Sequence, residues 1–216
     1  MARIIHTNSG DEVSAQQKYN NIAPVYDNRW SFYIKATIRE TVKRLDLQPS
    51  DRVLDIGCGT ASLFQFILGE FPNLQLIGVD ISTRMLKVAN DKLGQHAIFF
   101  AAQAQGLPFR PDSFDIVVSC NMFHYLRRPG QCLSEIARIL KPRGKVVITD
   151  WCDDYIACRL CNFFLRIFSR PHFKTYGRRE CERLFRVAAF RNIQIERYKI
   201  NWLWGLMTAK GQVGVS

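Results

Sequence analysis

The sequence has no run of about 18 apolar residues, so no segment is a candidate membrane span. It has no internal repeat and no low-complexity linker. Residues 1–14 lack the apolar core of a secretory signal, and the seven cysteines are an odd number. Both absences lead to an expectation of reduced thiols in a cytoplasmic setting rather than a disulfide scaffold. Cys158 and Cys161 form one C-x-x-C with no second pair and no histidine at ligand spacing, so no metal is expected. Acids are scarce. Against 30 Lys+Arg there are 19 Asp+Glu, leaving a net charge of +11.

What remains is ordinary. Of the 216 residues, 47% are apolar and 23% charged, which suits one globular domain and excludes a disordered or collagen-like chain. The basic excess is uneven. Residues 1–50 carry 7 basic and 5 acidic side chains, residues 51–150 carry 11 and 9, and residues 151–216 carry 12 and 5. Nucleic acid, an anionic membrane surface, an acidic ligand and plain solvated arginine are all open readings of that last third.

Apolar periodicity orders the elements. Ile34, Ile38, Val42 and Leu45 have helical spacing, with Pro49 beyond them. Residues 52–56 read as a buried strand, 60–70 as a helix, 74–79 as a strand and 83–93 as a helix capped by Ser82. Strands follow at 97–101 and 114–119, a helix opens at Pro129 and ends at 142–144, and a fifth strand covers 145–149. This alternation predicts an α/β fold, with a mainly parallel, doubly wound sheet covered by helices on both faces. Residues 1–50 form a helical arm over it, beginning with a loose polar stretch to residue 13. Residues 51–216 form the main domain. In the tail, helices are expected at 155–168 and 178–189, with closing strands at 193–200 and 202–209, making seven. The apolar phase of the first slips after Ile195, as a bulge would cause; the second is apolar on both faces, as in a central strand. The 155–168 helix sets Ile156, Leu160, Phe163, Phe164 and Ile167 on one side, with Arg159, Arg166 and Arg170 elsewhere. That stripe either lines an acceptor pocket, rests on an anionic membrane, or packs on the core.

The local chemistry centres on Val53-Leu54-Asp55-Ile56-Gly57-Cys58-Gly59-Thr60, a strand running into a Gly-rich turn. Glycine permits positive φ and close backbone approach. The dinucleotide pattern G-x-G-x-x-G is broken, because Ser62 holds the third glycine position. Asp55 inside the turn would repel a pyrophosphate and suits a ligand with a positive group. Asp80 ends the next strand, where a carboxylate can accept from a ribose diol or act as a helix N-terminal acid.

These segments together resemble the class I S-adenosylmethionine-dependent methyltransferases. The likeness rests on VLDIGCGTA, the acid in LIGVDIS, LPFRPDSFDIVVS, EIARILKPRGKVVITD and the early KYNNIAPVYDNRW. The LPF and LKPRGK segments are similar to the branch holding the ubiquinone and menaquinone C-methyltransferases. The resemblance implies S-adenosylmethionine as cofactor and a Rossmann-like sheet. Asp55, Gly57, Cys58 and Gly59 would hold the methionine part, Asp80 the ribose and Ile81 the adenine. Ser119 would lie near the sulfonium. Tyr19 and Tyr26 would close over the site or pack in the core. The family's acid before LPF is replaced by Gln103, with Ala104 beside it; an amide oxygen can still accept an adenine N–H.

Methyl transfer from a sulfonium needs alignment and dryness, and a base only when the acceptor must lose a proton. His124, after the fourth strand, is either that base or a packing histidine. Tyr125, Trp151 and Asp150 are candidates for shaping the acceptor pocket, and Asp153 and Asp154 for capping the next helix. The expected partner is a small, lipophilic or aromatic acceptor, with possible peripheral membrane contact through the basic tail. No recognition helix, basic aromatic ribbon or zinc module points to nucleic acid, and Ser119-Cys120-Asn121-Met122 replaces the Asn-Pro-Pro-Tyr segment of base-modifying relatives. A nucleic-acid methyltransferase or binding protein and a cofactor-binding protein without turnover are the competing readings.

Overall fold

A computed structural model describes residues 10–168, 174–202 and 204–214. An N-terminal arm of α1 (Gly10–Ile22), α2 (Tyr26–Arg29) and α3 (Ser31–Val42) precedes the sheet. Then β1 (Arg52–Ile56), α4 (Ser62–Leu68), β2 (Gln75–Asp80), α5 (Thr83–Leu93), β3 (Ala97–Ala101) and β4 (Phe114–Cys120) alternate. The chain continues through α6 (Pro129–Ile139), β5 (Leu140–Trp151), α7 (Ile156–Phe168), α8 (Arg178–Val187), β6 (Arg191–Lys199) and β7 (Gly205–Gln212). Residues 1–9 of the predicted loose arm and Arg170 lie outside the described residues, while residues 10–13 already belong to α1.

The sheet order is β3-β2-β1-β4-β5-β7-β6. Strands β1 to β5 are parallel, and β7 enters antiparallel between β5 and β6. Alternate residues feed two cores. On one face Val53, Leu76 and Ile116 meet Ile34 and Ile38 of α3, Phe64 and Ile67 of α4 and Ala89 of α5. On the other, Leu54, Ile77, Val117 and Val146 meet Leu133 and Ile136 of α6 and Phe185 of α8. Phe64, Phe114 and Phe185 are fully buried, and truncating such a ring to alanine costs about 3–5 kcal/mol. The order reverses between β1 and β4, which opens a crevice beyond their carboxyl ends.

The seven-stranded mainly parallel sheet is as expected, and β7 is the buried strand its two-sided apolar pattern predicts. The differences are local. The 142–144 turn does not end α6; the helix stops at Ile139, and Leu140 pairs at once with Phe114, with Arg143 at φ +64° irregular within β5. The last strand starts at Gly205 rather than 202. Asn201 Oδ1 accepts the Trp204 N–H at 2.6 Å, and the Ile200 N–H donates to the Trp204 carbonyl at 3.1 Å, so these residues form a turn. The irregularity in β6 falls between Arg191 and Gln194, where Asn192 has φ +52°, and so before Ile195 instead of after it. Asp153 and Asp154 do not cap α7. Asp153 Oδ1 accepts from Thr175 Oγ1 (2.8 Å) and Asn162 Nδ2 (3.2 Å), while Asp154 Oδ2 accepts the first N–H of α8, from Arg178, at 3.2 Å.

Candidate active site

The β1 strand ends in a turn whose glycines are sterically required. Gly57 has φ +77°, and a Cβ there would lie 2.6 Å from Met122 Cγ. Gly59 has φ +53° and open space on its Cα face. The turn is braced by the end of β2. The Gly57 and Cys58 N–H groups donate to the Val79 carbonyl at 2.8 and 3.0 Å. The Gly59 N–H donates to Asp80 Oδ2 at 3.0 Å, and the Ser82 N–H to Asp80 Oδ1 at 2.8 Å. Asp80 is thereby aimed from main chain on both sides. Burial pushes its carboxyl upward, against those N–H bonds.

Asp55, one residue before the end of β1, is the more strained acid. It is buried, and its Oδ1 has no hydrogen-bond partner. Burial first, and the Asp80 charge second, push it up to about 8. Its unpartnered oxygen is open to a donor from a ligand, and a cationic one would draw the carboxyl toward its charged form.

The arm reaches across these strand ends. Gln16 Nε2 donates to the Ile81 carbonyl at 2.6 Å, and Asn20 Oδ1 accepts from Ser82 Oγ at 2.7 Å. Asp27 accepts from Thr60 Oγ1 at 2.6 Å and Ser62 Oγ at 3.1 Å, and pairs with Lys92. Hydrogen bonds to Lys92 and Thr60 hold the Asp27 carboxyl below its ordinary range despite the opposing desolvation.

A first cavity lies between arm and strand ends. Gly57, Gly59, Asp80, Ile81, Gln103 and Ala104 line it, with Tyr19 and Tyr26 from the arm. Three predicted residues do not line it. Asp55 sits behind the turn, Cys58 points its sulfur toward Gly78, and Ser119 Oγ donates to the Ile56 carbonyl at 2.9 Å. The Ser119 expectation is thus corrected: the β4 register turns that hydroxyl to β1, and Cys120, Asn121 and Met122 form the wall instead.

A second cavity adjoins the first and shares Tyr19, Tyr26, Asn121 and Tyr125 with it. Its other walls include Trp30, Tyr33, His124, Trp151 and Trp204. Trp151 and Trp204 pack with centroids 4.5 Å apart and planes tilted by 50°, and Tyr33 meets each ring edge-on. The Tyr33 hydroxyl donates to Asn121 Oδ1 at 2.5 Å and accepts from Trp151 Nε1. Tyr19 and Lys18 both donate to the Tyr125 hydroxyl at 3.1 Å. Burial raises the hydroxyl pKa of Tyr19, Tyr26 and Tyr33, so all three stay neutral hydrogen-bonding walls.

His124 is buried and its Nδ1 lies 2.7 Å from Asp150 Oδ1. Asp150 also accepts the N–H groups of His124 (3.0 Å) and Trp151 (2.7 Å). A carboxylate has no proton to give, so Nδ1 carries the hydrogen and Nε2 is the basic nitrogen.

Sequence reasoning missed Gln16, Asn20, Asp27, Trp30, Tyr33, Asn121 and Trp204. Asn121, at φ +56° just past β4, had a signal: Asn after a buried strand favours the left-handed turn. The others reach the site only through tertiary contact. No group of three metal-ligating side chains occurs among the described residues.

A family profile described as "Methyltransferase domain" matches residues 54–148. The chain is 28% identical to a demethylmenaquinone methyltransferase of Alkalihalophilus pseudofirmus over 76% of this chain and 80% of that protein. It is 30% identical to the ubiquinone/menaquinone biosynthesis C-methyltransferase UbiE of Geotalea daltonii, over 67% of this chain and 65% of the relative. Its fold matches Haemonchus contortus phosphoethanolamine N-methyltransferase 2, solved with phosphomonomethylethanolamine and S-adenosylhomocysteine. That match has TM-score 0.75 and 20% identity over 95% of this chain and 60% of that one. The first cavity fits the same class of cofactor: an unpaired buried carboxyl behind a glycine turn, and a second carboxylate fixed at the next strand end. Sequence, fold and cradle agree that the chain is a class I S-adenosylmethionine-dependent methyltransferase resembling the ubiquinone and menaquinone C-methyltransferases.

Proposed function

We propose that the protein methylates a small, lipophilic, aromatic acceptor carrying an ionisable hydroxyl, of the phenol or hydroquinone class. The observation that carries this reading is the pair of cavities with one common wall, the second of them aromatic and served by a His–Asp pair. The cofactor, when bound, supplies a methyl group already activated on a sulfonium. Asp80 would hold the ribose hydroxyls, Ile81 would pack on the adenine, Gln103 would accept from the adenine amino group, and the 57–59 turn with Asp55 behind it would receive the methionine end.

The acceptor lies among Trp30, Tyr33, Trp151 and Trp204, which fix a planar ring and exclude water. Such alignment alone contributes several kcal/mol, up to about 10. His124 takes the acceptor's hydroxyl proton onto Nε2, which leaves the oxygen or its conjugated carbon nucleophilic toward the methyl group that the bound cofactor would supply. Asp150 acts through His124 as a positioning residue. Among the described residues the lining includes Lys18 and Arg29 and no carboxylate, which favours an acceptor of anionic or neutral character over a cationic amine. The demethylmenaquinone methyltransferases among the relatives support the same class.

The test incubates the protein and S-adenosylmethionine with a panel of hydroquinones, phenols and amines, read by mass spectrometry. Gain of one methyl on a hydroquinone or phenol is expected. Methylation confined to amines would overturn the acceptor class.

A further inference from the structure

Helix α7 is turned inside out. Among the described side chains, those it turns to the protein are small or polar, Cys158 and Asn162. The Cys158 thiol donates to the Gly205 carbonyl at 3.2 Å, and buried Asn162 bonds Asp153 and the Thr175 N–H. Its outer side carries Ile156, Leu160, Phe163 and Phe164, one stripe by helical spacing, at 78%, 56%, 61% and 56% exposure. The root of the helix is fixed, because Tyr155 packs on Gly205 where any Cβ would fall 1.9 Å from its ring. Exposed Arg159 flanks the stripe, and the helix sequence IACRLCNFFLRIF contains no acid. In the β6–β7 turn, at the same end of the sheet, Trp202 is 85% exposed. The second cavity lies at that end too, walled by Trp151 and Trp204.

Whatever covers this face must be apolar at its centre and negative at its edge. A second copy presenting the same helix would bring another exposed Arg159 and no acid to receive this one. No helix among the described residues is long and apolar enough to cross a membrane. We infer that α7 docks the protein on an anionic lipid bilayer, its stripe entering the headgroup–acyl boundary and its arginine meeting lipid phosphates. The aromatic cavity then lies beside the membrane, where a lipophilic acceptor is concentrated. The docking itself does not depend on methyl transfer.

The experiment is co-sedimentation of the full chain with vesicles of phosphatidylcholine alone or mixed with phosphatidylglycerol, at low and high salt. Partition onto the anionic vesicles, weakened by salt, is expected. The double variant Phe163→Ser/Phe164→Ser should lower it at least about tenfold, and Arg159→Glu by about fivefold or more. Both changes are at exposed sites, so the melting temperature should hold. Three results would overturn the docking: no partition, equal partition onto neutral vesicles, or binding unchanged by the serine pair. So would a dimer in sedimentation velocity that the serine pair abolishes.

Discussion

The two cavities share four residues but are built from different material. The first is walled by consecutive strand ends, and its main chain does much of the work: Gly57 and Gly59 by their φ angles, Gly59 and Ser82 by the N–H groups that aim Asp80. The second is assembled from side chains distant in sequence, among them Trp30 and Tyr33 of the arm, His124 after β4, Trp151 at the end of β5 and Trp204 before β7. A backbone cradle tolerates few changes and suits an invariant ligand. A cage of rings on loops and arms can be refitted one residue at a time. The fold thus separates a fixed donor site from an adaptable acceptor site.

The comparison breaks most visibly if the cavities are not chemically independent. Asp150→Ala takes from His124 Nδ1 the acceptor that holds its hydrogen there. The hydrogen then moves to Nε2 and the base is lost. A fall in kcat of about 10²–10⁴ is expected, with cofactor affinity unchanged by calorimetry. Equal losses in both would mean that Asp150 holds the strand ends for both cavities.

Asp80→Ala should do the reverse. It removes a carboxylate placed for the cofactor and leaves the Gly59 and Ser82 N–H groups without their acceptor. Two hydrogen bonds to a charged group are worth about 3–6 kcal/mol, so cofactor affinity should fall at least about 10²-fold. Part of the loss will appear as a lower melting temperature. Retained affinity would show that the ribose lies elsewhere.

The same division explains what could be read in advance. The β1 turn, Asp80 and Gln103 are encoded within short windows whose period and glycines carry the meaning, and the sheet order follows from strand–helix alternation. His124 was visible as a histidine at a strand end, but its pairing with Asp150 depends on β4 and β5 being neighbours in register. Ser119 was misplaced because a single residue of register decides which way a strand-end side chain points. Asp27 reaching Thr60 across 33 residues has no local signature at all. The outward apolar face of α7 is the sharpest case. Its stripe was plain in the sequence, yet helical periodicity cannot say which side of a helix meets the protein.

The smallest effect is also the finest test of what distinguishes the first cavity, its electrostatics. Asp55 is pushed up to about 8, well above the ordinary carboxylate range. In the free protein the folded state therefore holds a proton that the unfolded chain has lost, so this group's contribution to stability declines as pH rises from about 4 to about 8. A ligand ammonium held on the turn in front of Asp55 favours its carboxylate form, so binding at pH 7 displaces that proton. The ligand's own α-amino group, with an ordinary value of about 7.7–8.0, is already largely charged there and takes up little. Calorimetry in two buffers of different ionisation enthalpy should read release of somewhat less than about one proton per cofactor bound. The release should vanish in Asp55→Asn. Proton-neutral binding by the natural protein would mean that Asp55 is ionised before the ligand arrives. The donor cavity would then differ from the acceptor cavity in the shape of its walls and not in its charge.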